Sequence, residues 1–313
     1  MASSNMADAS ESIKKIQNQF YQIGYIASDS IATSIFLAQS LSKPILIEGP
    51  PGVGKTELAT AFSKVTEKPL IRLQCYEGLD EAKALYEWKY GKQLLYTQIL
   101  REKMNDVMDG AKTLQESLNK IHDFDDIFFN EKFMEPRPLL KALKQKEGAV
   151  LLIDELDKSD QEFEAFLLEI LQDYRVTLPE IGAVNATKTP HVFLTSNNTR
   201  EIGDALKRRC LHLYIPFPSR DLEKKIIEKH VPTLNEELKE QLINFVHNLR
   251  NLDLKKLPSI SETIDWAKVI LLTNVDTLDN ELVRSTLNVL LKFQDDIDFV
   301  TTELPSLTKG PKI

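Results

Sequence analysis

The stretch GPPGVGKT, residues 49–56, satisfies G-x-x-x-x-G-K-[ST] at every specified position. That octapeptide narrows the available folds sharply, because it works only as a turn between a strand and a helix. Both flanks comply: PILIE (44–48) reads as a buried strand and TELATAFSKVT (56–66) as a helix. Gly49, Gly52 and Gly54 let backbone N–H groups turn inward around phosphate oxygens, and the helix amino terminus adds partial positive charge. In such a loop Lys55 reaches the β- and γ-phosphates and Thr56 ligates Mg²⁺. Pro50, Pro51, Val53 and Glu57 complete the nucleotide-binding segment. A Gly-rich turn arising by chance is the competing explanation, and the flanking strand and helix weigh against it.

Strand and helix keep alternating beyond the loop. PLIRLQC (69–75), AVLLIDE (149–155), HVFLTSN (191–197) and LHLYIPF (211–217) read as further apolar strands. Their nearly continuous apolar character suits a parallel sheet covered on both faces. The implied class is α/β, a P-loop sheet domain spanning 1–218. After Pro216 and Pro218 the character changes to four helical patterns, near 219–230, 235–250, 260–273 and 279–297. They define an all-helical domain over 219–313, with starts at Ser219, Asn235, Ser259 and Asp279 and a capping box in Ser259–Glu262. The tail TELPSLTKGPKI reads as loose. Residues 12–41 carry one run of helical periodicity, and 76–148 a helical insertion against the sheet. Tyr86, Trp88, Tyr90 and Tyr96 within it read as packing residues, since a base-stacking platform would want basic neighbours.

A length of 313 residues leaves room for about two domains. A formal net charge of −8 argues against broad adhesion to nucleic acid or to an anionic membrane. No apolar run approaches the roughly 20 residues of a membrane helix, and the polar start MASSNMADASES has no secretory pattern. Cys75 and Cys210 belong to no metal-binding or disulfide spacing, so a reduced, cytoplasmic protein is expected.

Three further elements bear on chemistry. LLIDE ends a strand in Asp154 and Glu155; the first acid would hold Mg²⁺ through water and the second would polarise an attacking water. Such a pair is weak evidence alone and becomes strong about 100 residues after a full phosphate loop. Asp157 reads as local helix capping, ahead of a helix whose Phe163, Phe166, Leu167, Ile170 and Leu171 share a face. YRVTLPEIGAVNATKTP reads as a hairpin turning near Gly182 and projecting from the sheet. In HVFLTSNN, Asn197 either orients the attacking water or merely forms a turn. DALKRRC (204–210) closes a short helix in Arg208 and Arg209. That pair either answers the helix dipole or completes a phosphate site in a neighbouring subunit.

Phosphate loop, LLIDE, TSNN and RRC in this order, followed by a helical domain, resemble an AAA+ ATPase from about residue 12 to 297. EGPPGVGKTELA, RLQCYEGLDEAKALYEW, LLIDELDKSDQEFEAFLLEILQDYRVTLPEIG and FLTSNNTREIGDALKRRC are similar to the MoxR branch, and within it to the subgroup associated with carbon monoxide dehydrogenase maturation. The resemblance implies an α/β ATPase domain with a helical lid, ATP and Mg²⁺ as ligands, and a hexameric ring. It implies Asp154 as the metal-associated acid, Glu155 as catalytic glutamate, Asn197 as first sensor, and Arg209, with Arg208 as alternative, as a finger acting on the next subunit. It further implies a partner with a von Willebrand factor A domain and a client protein. One departure stands out: PSISETIDWAK, where relatives begin the third lid helix with arginine, has none.

Two other classes compete. A motor or loader component of a nucleic-acid system is disfavoured by the acidic balance and the lack of a basic, aromatic-interleaved patch. A nucleotide-bound scaffold without turnover is disfavoured by the intact Lys55, Thr56, Asp154 and Glu155.

Overall fold

The computed structural model describes residues 2–102, 131–179, 181–275 and 277–307. Its centre is a five-stranded sheet of β1 (Ile45–Glu48), β2 (Leu70–Gln74), β5 (Val150–Asp154), β8 (His191–Ser196) and β9 (Leu211–Tyr214), ordered β2-β5-β8-β1-β9. Every pairing is parallel. The acid-bearing β5 therefore does not touch β1, which feeds the phosphate loop; β8 lies between them.

Burial on both faces explains the unbroken apolar runs. In β5, Val150 and Leu152 pack in a layer with α1 (Ala2–Gln22), α2 (Asp29–Leu41) and α3 (Lys55–Thr66). Leu151 and Ile153 pack in the opposite layer, with α4 (Glu81–Leu85), α6 (Pro138–Leu143) and α7 (Gln161–Asp173). This second layer also holds Phe163, Leu167, Ile170 and Leu171 of the face expected on α7.

The periodic run at 12–41 falls in two helices. Gly24, at φ +95°, turns the chain after α1, and the Ser28 side chain accepts from Ile31 N to start α2. The insertion departs from a continuous helix as well. Tyr86–Trp88 forms β3, antiparallel to β4 (Met134–Pro136), and Tyr90–Glu102 then forms α5. Tyr86 and Trp88 pack on the core as expected, while Tyr90 is 67% exposed. The span 103–130 lies outside the described residues. The hairpin β6 (Arg175–Leu178) and β7 (Gly182–Asn185) is a separate two-stranded sheet, not an extension of the main one.

The carboxyl-terminal helices are α9 (Arg220–His230), α10 (Glu236–Arg250), α11 (Ile260–Thr273), α12 (Asn280–Leu290) and α13 (Gln294–Leu307), around a core centred on Trp266. Ser219, Asn235, Ser259 and Asp279 each cap a helix through the side chain, and the Ser259–Glu262 capping box is complete. The pattern at 279–297 divides because Leu291 goes extended, and α13 runs on to Leu307. Part of the tail read as loose is thus ordered helix, with Leu304 buried. Residues 308–313 lie outside the described residues. Among the described residues no helix is long and apolar enough to cross a membrane.

Candidate nucleotide site

The carboxyl ends of β1, β5 and β8 meet at an open cleft of about 320 Å³. Pro51, Gly52, Gly54, Lys55, Thr56, Glu57, Asp154, Glu155, Thr195, Asn197 and Ser261 line it. Gly49 takes φ +149°, and a methyl there would sit 2.1 Å from the Ile215 carbonyl oxygen, so the loop can pass β9 only as glycine. α3 starts at Lys55 with Gly54 as its N-cap and no side-chain cap. Its first N–H groups are left to an anion in the cleft. Pro50 and Val53 shape the loop from outside the cleft lining, Val53 being buried in the core.

Lys55 is 7% exposed, and its ammonium donates to Gly49 O and Pro50 O, both at 2.7 Å, and to Asn197 Oδ1 at 2.8 Å. Burial pushes it down to about 8, although Asp157, Asp154 and Glu155 pull the other way. β8 sets this contact. Because that strand sits between β1 and β5, its end delivers Asn197 to the lysine and Thr195 to the acids.

Asp154 is buried, and both its oxygens are occupied. Oδ1 accepts from Thr195 Oγ1 at 2.5 Å and Thr56 Oγ1 at 3.0 Å. Oδ2 accepts from Arg72 Nε at 3.0 Å and from its Nη2 at 2.5 Å. Glu155 sits in the left-handed region at φ +56°, with its N–H donating to Thr195 Oγ1 at 2.9 Å. Its Oε2 accepts from Gln74 Nε2 at 2.8 Å and Lys158 Nζ at 2.6 Å, whereas Oε1 meets no donor among the described residues.

Asp157 does not cap the following helix; Asp160 does that, accepting from Phe163 N. Asp157 instead accepts from Asn197 N at 3.2 Å, Thr199 N at 3.1 Å and Thr199 Oγ1 at 2.5 Å, fastening the turn that carries Asn197. Burial raises this carboxyl, and those bonds more than offset it, holding it below the usual range.

Beside the cleft an apolar pocket of about 400 Å³ lies between the sheet end and the helical bundle, walled by Tyr25, Ile26, Ile215, Leu222, Ile226 and Ile264 among others. Gly52, Gly54, Glu57 and Ser261 line both cavities, so the two adjoin. Sequence reasoning missed this pocket, whose walls come from segments far apart in the chain. It missed Arg72 too. The available signal was a charged residue within the apolar strand PLIRLQC.

Arg208 and Arg209 do not line the cleft. They end α8 (Asp204–Arg209). Arg209 donates to Ala205 O at 3.1 Å and Gln172 Oε1 at 2.9 Å; Arg208 is exposed and has no hydrogen bond or ion pair among the described residues. The bundle contributes Ser261 to the cleft and no arginine.

A P-loop with two acids at the end of a non-adjacent parallel strand, and a helical bundle beside it, defines a nucleoside triphosphatase of the AAA+ class. Residues 44–210 match the model of the AAA domain of the dynein-related subfamily, and the chain belongs to that family. Uncharacterized proteins of Staphylococcus aureus, from strains COL and USA300 among others, are 28% identical over 229 residues, covering 71% of this chain and 73% of theirs. Among solved structures, the Thermotoga maritima RuvB Holliday junction branch migration motor is similar at 14% identity and a TM-score of 0.45, over 98% of this chain and 78% of that one.

Proposed function

We propose that the chain is a Mg²⁺-dependent ATP hydrolase of the MoxR branch that works in a ring of like subunits, hexameric in that branch, to remodel a client protein. The observation that carries this reading is the convergence of Lys55, Thr56, Asp154, Glu155 and Asn197 on one cleft, with an apolar pocket adjoining it. The pocket suits a purine, and the α3 amino terminus with Lys55 suits the phosphates. Thr56 Oγ1 and the Asp154 carboxylate, 3.0 Å apart, are hard oxygen donors of the kind magnesium takes. The ion supplies neutralisation of charge on the β- and γ-phosphate oxygens.

The chain's own groups do the remainder. Glu155 has Oε2 held by Gln74 and Lys158, which leaves Oε1 to take the proton of an attacking water. Asn197, fastened through Asp157, orients that water or the γ-phosphate, and Lys55 exchanges its amide contact for phosphate oxygens. The Arg208–Arg209 pair lies off its own cleft, which supports action on a neighbour. Arg209 matches the family's finger, while Arg208 gives up no bond in reaching out. A division at residue 218 lets the bundle act as a lid, touching the phosphate loop through Ser259 and Ser261. Resemblance to the MoxR branch, including the subgroup linked with carbon monoxide dehydrogenase maturation, supports a von Willebrand factor A domain partner.

Glu155→Gln is expected to keep ATP affinity while turnover falls by about 10²–10⁴, the contribution of a positioned general base. Subunits carrying Arg209→Ala, or Arg208→Ala, are then mixed with Glu155→Gln subunits. Recovery of phosphate release identifies the arginine that crosses; no recovery with either variant overturns the shared site.

A further inference from the structure

The oxygens of Asp154 have more suitors than a metal-associated acid needs. Two lone pairs on each oxygen give four acceptor positions. Thr195 and Thr56 take those of Oδ1, and the Arg72 fork takes those of Oδ2, with Thr56 Oγ1 a further 3.3 Å from Oδ2. The geometry points to Arg72 as a stand-in cation, which neutralises Asp154 until metal arrives and must withdraw for the metal's waters to reach that carboxylate. This inference rests on the Mg²⁺-ATP reading above.

Of the three donors, only Arg72 is free to move. Thr195 is 1% exposed and accepts from Glu155 N while donating to Asp154, so its departure would undo the backbone at Glu155. Thr56 belongs to the first turn of α3 and would turn its own oxygen toward the ion. The Arg72 side chain is 52% exposed and stands on edge strand β2, which pairs only with β5. A place to withdraw to is already built, since its Nη2 also donates to Gln74 Oε1 at 2.5 Å. The need for a cation is equally plain. The Asp154 side chain is 3% exposed; Lys55, which lines the cleft, spends its bonds on Gly49, Pro50 and Asn197, and Lys158 spends its own on Glu155. A buried carboxylate without a partner is strongly disfavoured. Magnesium keeps a rigid octahedral shell of waters that require acceptors, so ion and guanidinium cannot share Oδ2.

Metal and Arg72 then compete, and removing the arginine strengthens the coupling between metal and nucleotide. The full-length chain carrying Glu155→Gln, which blocks turnover, is titrated with a fluorescent ATP analogue, once in EDTA and once in saturating Mg²⁺. The ratio of the two dissociation constants measures the coupling. Adding Arg72→Gln is expected to raise that ratio about tenfold, the scale of one charge-assisted contact no longer displaced. Arg72→Lys, which keeps a charge without the fork, is expected to raise it less, and it carries the test should the glutamine variant not fold. A ratio unchanged or lowered in the variants overturns the role of Arg72, because a purely structural arginine would weaken both affinities alike. Absence of binding in both conditions with Arg72 intact would instead overturn the ATP reading itself.

Discussion

The carboxyl end of the sheet and the interior of the helical bundle both bury charge, and they treat it in opposite ways. In the bundle, Glu223 is fully buried and Arg250 answers it with two parallel bonds of 2.7 and 2.8 Å. Arg250 also donates to Pro258 O and stacks on Phe217, and His247 Nε2 lies 2.9 Å from the same carboxylate. The set is closed. At the sheet end, Lys55, Glu155 and Asn197 are held by neighbours yet aim at an open cleft, and one oxygen of Glu155 is unspent. Closed charge fixes a shape, whereas open charge holds chemistry ready. Variants in the bundle should therefore be read in stability, and variants at the sheet end in binding and turnover.

The comparison is broken most forcefully at Arg250. Arg250→Met leaves Glu223 buried without its guanidinium partner and is expected to cost about 3–5 kcal/mol in urea unfolding at pH 8. His247 supplies the sharper form of the test. In the native chain burial lowers it, with Arg250 and Arg220 opposing protonation and Glu223 favouring it. Without Arg250 its folded value should rise, so that the stability the native chain loses to this lowered histidine as pH falls below 6.5 is lost less in the variant. The deficit should be smaller at pH 6 than at pH 8. An equal deficit at both would show that His247 does not close the gap.

Lys55 tests the open side. Burial holds it down to about 8, and a bound phosphate should raise it. ATP affinity should hold below pH 8 and fall above it, by at most about tenfold per pH unit, with a proton taken up on binding. Calorimetry at pH 8.5 in two buffers of different ionisation heat reads that proton directly. Zero uptake would mean that phosphate leaves the lysine's burial uncompensated.

The smallest effect is expected at Asp279, whose side chain accepts from Leu282 N at 2.8 Å at the start of α12. Asp279→Ala should lower stability by about 1 kcal/mol and leave nucleotide affinity unchanged. A shift in affinity would show that the bundle is less separate from the cleft than its closed charges imply.

What could be read from the sequence follows the same division. GPPGVGKT, LLIDE and TSNN were legible because each is a short segment whose role depends on its own strand end, and the Ser259 capping box was legible because it is local. Arg72 was not, since its meaning depends on the β2–β5 pairing that sets Gln74 against Asp154, 80 residues away. Asp157 was misread for the same reason: its partners lie across the sheet on the loop after β8. The apolar pocket draws on the turn after α1, the end of β9 and two bundle helices, and no window of sequence contains it. Helical periodicity at 12–41 and 279–297 was real, but periodicity does not register a break that keeps the apolar face in phase.

Gly52 occupies a position the phosphate-loop pattern leaves open to any residue. At φ +73° its imagined methyl would fall 2.4 Å from both Cβ and Oγ of Ser259. The demand for glycine here comes as much from the helical bundle as from the loop's own turn, because the capping serine packs against it. A substitution scan at this position would register the fit between loop and bundle even in a chain that never meets nucleotide.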